Sequence, residues 1–307
     1  MVWVVLAIAV STAAGVWADR RLGDRATALT DRLVRLILWV LLPPIAFFVT
    51  AHLELTEGVG VGLLLVYAEL AIVTTAAYLV ATRLLRLGRG ATGAVVVTTS
   101  LANTGYLGIP LCIAFFGTDS VALAVAYDSL VSAVMLYTVG FGSGAALGTR
   151  AGETARQRVR AFFTRNPVLP AVVLGLLAPK ELAPDAVVDV AELAAAALLP
   201  VGFFLLGVNL THEAEDGQLR FPPPFSTPVA LVVGLRLVAA PILLAAFAAA
   251  TSVDVPDAYY VLAAMPSGIN SLVVAHVFGL DLRLVASALA WSTAAAVLAA
   301  IAVSPFV

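Results

Sequence analysis

The chain has 307 residues, is 62% hydrophobic and 12% charged, and has a mean hydropathy of +1.03, which a soluble domain with a polar surface does not reach. A net charge of -2 supplies no basic footprint for nucleic acid, and a single cysteine, Cys112, excludes an internal disulfide framework and a Cys-rich metal site. These features point to an all-α polytopic membrane protein in contact with a lipid bilayer.

Apolar runs that approach or exceed the length needed to cross hydrocarbon fall at 2–17, 33–52, 58–82, 91–116, 119–147, 166–179, 186–210, 226–250, 255–279 and 282–303. The first is followed, not preceded, by Arg20, Arg21 and Arg25, the reverse of a secretory signal, and reads as a retained helix with its N-terminus outside.

Charge between the runs supports a count of ten. The odd-numbered loops hold Arg20, Arg21, Arg25 and Arg32; Arg83, Arg86 and Arg89; Arg150, Arg156, Arg158, Arg160 and Arg165; Arg220; and Arg283. The even-numbered loops hold Lys180 among Glu181, Asp185 and Asp189. The positive-inside rule makes the odd loops cytoplasmic and puts both termini outside a cell membrane.

The basic segment 148–165 follows the fifth run and divides the chain into a first half, 1–147, and a second, 166–307. Five spans are an odd number, so the second half enters the membrane the other way up, as two inverted five-helix repeats require. "LLPPIAFF" at Leu41–Phe48 and "LLPVGFF" at Leu198–Phe204 are a faint echo of that repeat.

The fourth and ninth runs carry helix-breaking residues at similar depth. In "SLANTGYLGIP", Asn103 lies about 18 Å from the start of a helix that would be about 39 Å long. In "AMPSGINSL", Pro266, Gly268 and Asn270 lie about 15 to 22 Å from Val255. Such breaks survive in hydrocarbon only where protein or a water-filled cavity covers them. Gly105 and Gly268 permit non-helical dihedrals, Pro110 and Pro266 each remove an N–H, Pro110 suits the first position of a new half-helix, and Asn270 suits its N-cap.

Broken helices four and nine are therefore expected to cross, with two half-helix N-termini facing the crossing and attracting a small anion. The amides of Asn103 and Asn270 and the hydroxyls of Ser100, Thr104, Ser267 and Ser271 are candidate partners for a carboxylate. Either motif alone reads equally as a packing kink; the pairing favours a site.

Glu69 in the third run and Arg236 in the eighth are corresponding intramembrane charges, read either as a structural salt bridge or as part of proton coupling. Asp128 in the fifth is a second proton-coupling candidate, with a capping or snorkelling position as its alternative. His276 reads as interfacial. No P-loop, nucleophile elbow or metal-ligand cluster occurs, so neither an enzyme nor a cofactor or metal is expected.

"ANTGYLGIPL", "NPVLPAVVLGLL" at Asn166–Leu177, "LLPVGFFLLGVNL", "LRLVAAPIL" and "MPSGINSLVVAHVFG", in this order over nearly the whole chain, resemble the auxin efflux carrier family. The resemblance implies a secondary transporter with elevator-type alternating access. Helices one, two, six and seven would form a scaffold that often makes a homodimer, and helices three to five and eight to ten a moving domain. Family substrates are organic anions, auxins in plants and small carboxylates in bacteria, and Asn103 and Asn270 match the crossing asparagines that contact a carboxylate. The central loop is shorter than in many plant members, and the Ala-, Val- and Arg-rich composition looks bacterial.

Proton coupling or uniport is expected, because neither crossing motif contains an acid for sodium. The alternatives are a sodium-coupled carrier of the bile acid symporter type and a non-transporting carboxylate receptor.

Overall fold

The computed structural model describes residues 2–53, 56–149, 167–198 and 223–303, with Arg156 and a few positions between 200 and 208. Most of the basic loop 148–165, and most of the expected seventh run beyond residue 198, lie outside the described residues.

The chain opens with α1 (Val2–Leu22) and α2 (Asp24–Leu36), joined at Gly23, whose φ of +48° makes the turn. The arginine-bearing loop expected between the first two runs is thus a single glycine. Arg20 and Arg21 end α1, and Arg25, Arg32 and Arg35 lie within α2. Hydropathy marks the stretch that tolerates lipid, whereas helix continues through polar residues of good propensity until a glycine stops it.

A π-helical turn, Ile37–Leu41, leads into α3 (Leu42–Ala51). Then come α4 (Glu57–Leu84), α5 (Arg89–Ser100), α6 (Thr104–Phe116), α7 (Thr118–Leu147), α8 (Val168–Leu177) and α9 (Asp185–Ala197). The chain continues with α10 (Thr227–Thr251), α11 (Asp257–Ala263), α12 (Asn270–Phe278) and α13 (Leu282–Val303). Four of these, α4, α7, α10 and α13, are long and apolar enough to cross a membrane.

Local chemistry sets several ends. Thr56 caps α4 by accepting from the Val59 N–H at 3.3 Å, and Asp281 accepts from the Leu284 N–H at 3.1 Å before α13. Gly279, with φ +67°, closes α12 in the left-handed conformation. Three π turns directly precede prolines: Ile37–Leu41 before Pro43, Thr104–Gly108 before Pro110, and Leu235–Ala239 before Pro241. A proline lacks the N–H that the preceding turn needs, and a wider turn absorbs the mismatch.

Two apolar cores organise the packing. The larger joins Val66 and Leu70 of α4, Val97 of α5 and Tyr127 of α7 to Leu244 of α10, Tyr259 and Leu262 of α11, Phe278 of α12 and Val285 of α13. The second joins Ile45, Ala46 and Val49 of α3 to Val168 and Val172 of α8 and Ala191 and Ala195 of α9, and reaches Ile113 of α6 and Val125 of α7.

The outer surface inverts the soluble pattern. Leu64, Ile242 and Leu298 are 66%, 61% and 67% exposed, while Glu69 and Arg236 are fully buried.

Helix α8 packs closely against α3 at Gly175, where the Thr50 side chain and the Phe47 carbonyl leave no room for a Cβ. A Cβ there would stand 2.5 Å from the Phe47 carbonyl oxygen and 2.2 Å from Thr50 Oγ1, whose hydroxyl already donates to Ala46 O at 2.6 Å. Gly175→Ala is expected to push the two helices apart and cost about 1–3 kcal/mol, as overpacking does, read as a lower unfolding temperature of the purified protein.

Candidate functional site

The two interrupted segments meet. Helix α5 stops at Ser100 because Leu101 turns extended, with φ -105° and ψ 108°, and Asn103 takes φ -86° and ψ 62° before α6 restarts at Thr104. Helix α11 stops at Ala263, and α12 restarts at Asn270. Between the breaks, Ala102 and Ser267 form an antiparallel bridge. The Asn103 N–H donates to Pro266 O at 2.8 Å, and the Gly268 N–H donates to Leu101 O at 2.7 Å. Each break thus satisfies backbone groups that the other has freed, as burial in a membrane demands.

Side chains complete the accounting. Ser267 Oγ donates to Thr98 O at 2.8 Å, while the Ser267 N–H donates to Ser292 Oγ of α13 at 3.2 Å. Arg236, carried by the π turn of α10, donates from Nε to Met265 O at 3.0 Å, from Nη2 to Ala263 O at 3.1 Å and from Nη1 to Thr99 O at 3.5 Å. One guanidinium therefore reaches the C-terminal ends of both half-helices.

The restarts differ. The ladder of α6 begins with Gly108 N–H to Asn103 O at 3.0 Å, so the N–H groups of residues 104–107 come before it. In α12, the Ser271 and Leu272 N–H groups already donate to Gly268 O and Ile269 O, both at 3.0 Å. Asn270 is the first helical residue rather than the N-cap; Ile269 holds that position, and no side chain caps the end. Pro110 likewise lies inside α6, at the start of its α-helical part, because the π turn Thr104–Gly108 starts the helix earlier.

The hydroxyls expected to serve an anion are engaged elsewhere. Ser100 Oγ donates to Val97 O at 3.3 Å, Ser267 Oγ to Thr98 O, and Ser271 Oγ to Gly268 O at 2.6 Å. Thr104 Oγ1 donates to Asp128 Oδ1 at 2.5 Å and lies 2.7 Å from Ser132 Oγ. Freed or kinked backbone supplies nearby carbonyls, and a short hydroxyl side chain meets those first. What remains is amide. Asn103 is buried, Asn270 is exposed, and neither side chain is engaged by a described residue.

Asp128 lies within α7 rather than at its end, and its carboxylate faces the restart of α6. A Cβ on Gly105 would stand 3.4 Å from Oδ1 and 3.6 Å from Oδ2. Sequence reasoning missed the Thr104–Asp128–Ser132 network; the spacing of Asp128 and Ser132, four residues apart on one helical face, was its only signal.

Glu69 and Arg236 form no direct ion pair; all three guanidinium nitrogens are turned to carbonyls. Both Glu69 carboxylate oxygens are buried without a hydrogen-bond partner among the described residues. His276 is exposed in the last turn of α12.

A family model described as membrane transport protein matches residues 2–158 and 163–303, nearly the whole chain. The chain belongs to the auxin efflux carrier family of membrane transport proteins. No curated relative matches it closely enough to add a nearer comparison. Family membership and the exposed apolar helices together make it a membrane-embedded transporter that moves a small molecule.

The bridge depends on close backbone approach. A Cβ on Gly268 would meet Ala102 O at 2.7 Å and Ala102 C at 2.9 Å, backbone atoms that cannot swing aside. Gly268→Ala is expected to cost about 1–3 kcal/mol by overpacking. By contrast, Gly60→Ala, which meets nothing within 4 Å, should be neutral or stabilising by up to about 1 kcal/mol. Paired thermal unfolding curves of the two variants check the contrast.

Proposed function

We propose that this protein is a secondary carrier of small organic carboxylates across the cell membrane. It has ten transmembrane helices in two inverted five-helix repeats, the termini outside and the basic loop 148–165 cytoplasmic. The observation that carries the reading is the reciprocal bridge between two helix interruptions, beside which α6 restarts with N–H groups ahead of its ladder and the Asn103 and Asn270 amides stand unengaged. Helix N-termini and neutral amides are suited to a carboxylate, because they supply directed donors and positive partial charge without a competing counter-ion.

Asn103 and Asn270 are the substrate-binding side chains in this reading. Thr104, Gly105, Pro110, Pro266, Ser267, Gly268 and Ser271 shape the backbone that presents them. The larger core, shared by α4–α7 and α10–α13, meets the α3, α8 and α9 core only through α6 and α7, which supports an elevator in which the first group moves against the second.

Asp128, hydrogen-bonded to Thr104 and facing Gly105, is the favoured proton carrier of the proposed cycle. When ionised it sets a negative charge beside the α6 restart and opposes an incoming carboxylate; when protonated it does not. Glu69, buried with unpaired oxygens, is the second candidate.

Thermal unfolding of the detergent-purified protein against mono-, di- and aromatic carboxylates tests the site. One class should stabilise the wild type by about 2.7 kcal/mol at a hundredfold excess over its dissociation constant, and the Asn103→Ala, Asn270→Ala double variant should lose that shift. Undiminished stabilisation of the double variant overturns the assignment, and binding without flux in reconstituted vesicles makes the protein a receptor.

Uptake in vesicles at two pH values tests the coupling. Asp128→Asn is expected to remove the pH dependence of uptake and Glu69→Gln to weaken it. Wild-type pH dependence in both variants rejects proton coupling through either group.

A further inference from the structure

Two half-helices ending at one point create an electrostatic problem that the carrier reading leaves open. The C-terminal ends of α5 and α11 carry negative partial charge and carbonyls released from their ladders, and neither has a basic residue in its own last turn. In broken-helix membrane carriers, carbonyls of this kind are ligands for a free cation such as sodium. Here they meet a side chain. Arg236 is fully buried, arrives from a third helix, and directs Nε, Nη1 and Nη2 to Met265 O, Thr99 O and Ala263 O.

We propose that Arg236 is a tethered cation: its guanidinium occupies the carbonyl site formed by the ends of α5 and α11, ties the two half-helices together, and makes the crossing independent of any free metal cation. Its placement follows from the chain. Pro241 lacks an N–H, the turn Leu235–Ala239 widens to a π turn that the Ala240 N–H closes onto Leu235 O, and Arg236 projects from that turn.

A planar fork with several donors can span carbonyls from two helices at once. Glu69 makes no hydrogen bond to the guanidinium, so it does not compete with the carbonyls for its N–H groups. Arg236 is thus a positioning residue. It does not touch the proposed anion site; it holds the two segments that form it.

The test reads stability and cation dependence, so it needs no substrate and can fail or succeed separately from the carboxylate assignment. Wild type, Arg236→Ala and Arg236→Lys are unfolded thermally in media of equal ionic strength containing N-methylglucamine alone, with added sodium, or with millimolar methylguanidinium. Wild type should unfold at one temperature in all three. Arg236→Ala should unfold at a lower temperature in N-methylglucamine and be shifted back up by methylguanidinium and, to a smaller extent, by sodium, because its emptied carbonyl site accepts a free cation. Arg236→Lys, which keeps the charge, should fall between the two and ignore sodium.

The proposal is overturned if Arg236→Ala unfolds like wild type, if it responds to no small cation, or if wild type itself is stabilised by sodium. If Arg236→Ala does not accumulate in membranes, the Lys variant decides: folding without sodium dependence supports the tethered cation, and loss of this variant too, or a sodium requirement, rejects it.

Discussion

The constraint on which the structure turns is that a polypeptide in hydrocarbon has no water to complete its backbone hydrogen bonds. Two helices of this chain break inside the protein, and each break frees carbonyl and N–H groups that would cost several kcal/mol apiece if left alone. The molecule resolves this by bringing the breaks together. Asn103 and Gly268 donate across the gap to Pro266 and Leu101, Ser267 takes Thr98, and Arg236 takes Thr99, Ala263 and Met265. Carbonyls on both sides of the crossing, Thr98, Thr99 and Leu101 on one and Ala263, Met265 and Pro266 on the other, are thus met by the protein itself. At the α6 restart, the N–H groups of residues 104–107 precede the first ladder bond, from Gly108 N–H to Asn103 O.

Proline gives the arrangement its local geometry. Pro43, Pro110 and Pro241 each follow a π turn, and two of those turns bear directly on the crossing: Thr104–Gly108 opens α6, and Leu235–Ala239 carries Arg236. These two turns set where a half-helix begins and where a guanidinium projects. Glycine has the complementary role at Gly175 and Gly268, where backbone approaches backbone so closely that no Cβ fits.

The polar residues divide by reach. Ser100 and Ser271 fold back onto carbonyls three residues earlier, Ser267 takes Thr98 O across the crossing, and Thr104 is held by Asp128 and Ser132. The asparagine amides remain unengaged and are the groups best suited to meet a ligand. Polarity near a helix break is therefore a poor guide to binding by itself, since the break consumes the nearest donors first.

Sequence alone determined that the chain is an apolar, all-helical membrane protein, located two Asn-, Gly- and Pro-bearing interruptions, and singled out Glu69, Asp128 and Arg236. Each of these depends on composition, on period or on a residue whose cost in lipid is large wherever it points. Helix ends such as the α1–α2 joint at Gly23 were less legible, because hydropathy reports tolerance for lipid and not continuity of the backbone ladder. Only the tertiary structure decided which donor meets which acceptor: that Arg236 turns to carbonyls rather than to Glu69, that Asp128 meets Thr104, and that the serine hydroxyls are already engaged. The Arg236, Asp128 and Ser267 pairings join residues 24 to 169 positions apart, and nothing in a linear pattern encodes a hydrogen bond whose two ends come together only when the helices pack; Ser100 and Ser271 instead meet carbonyls three residues back.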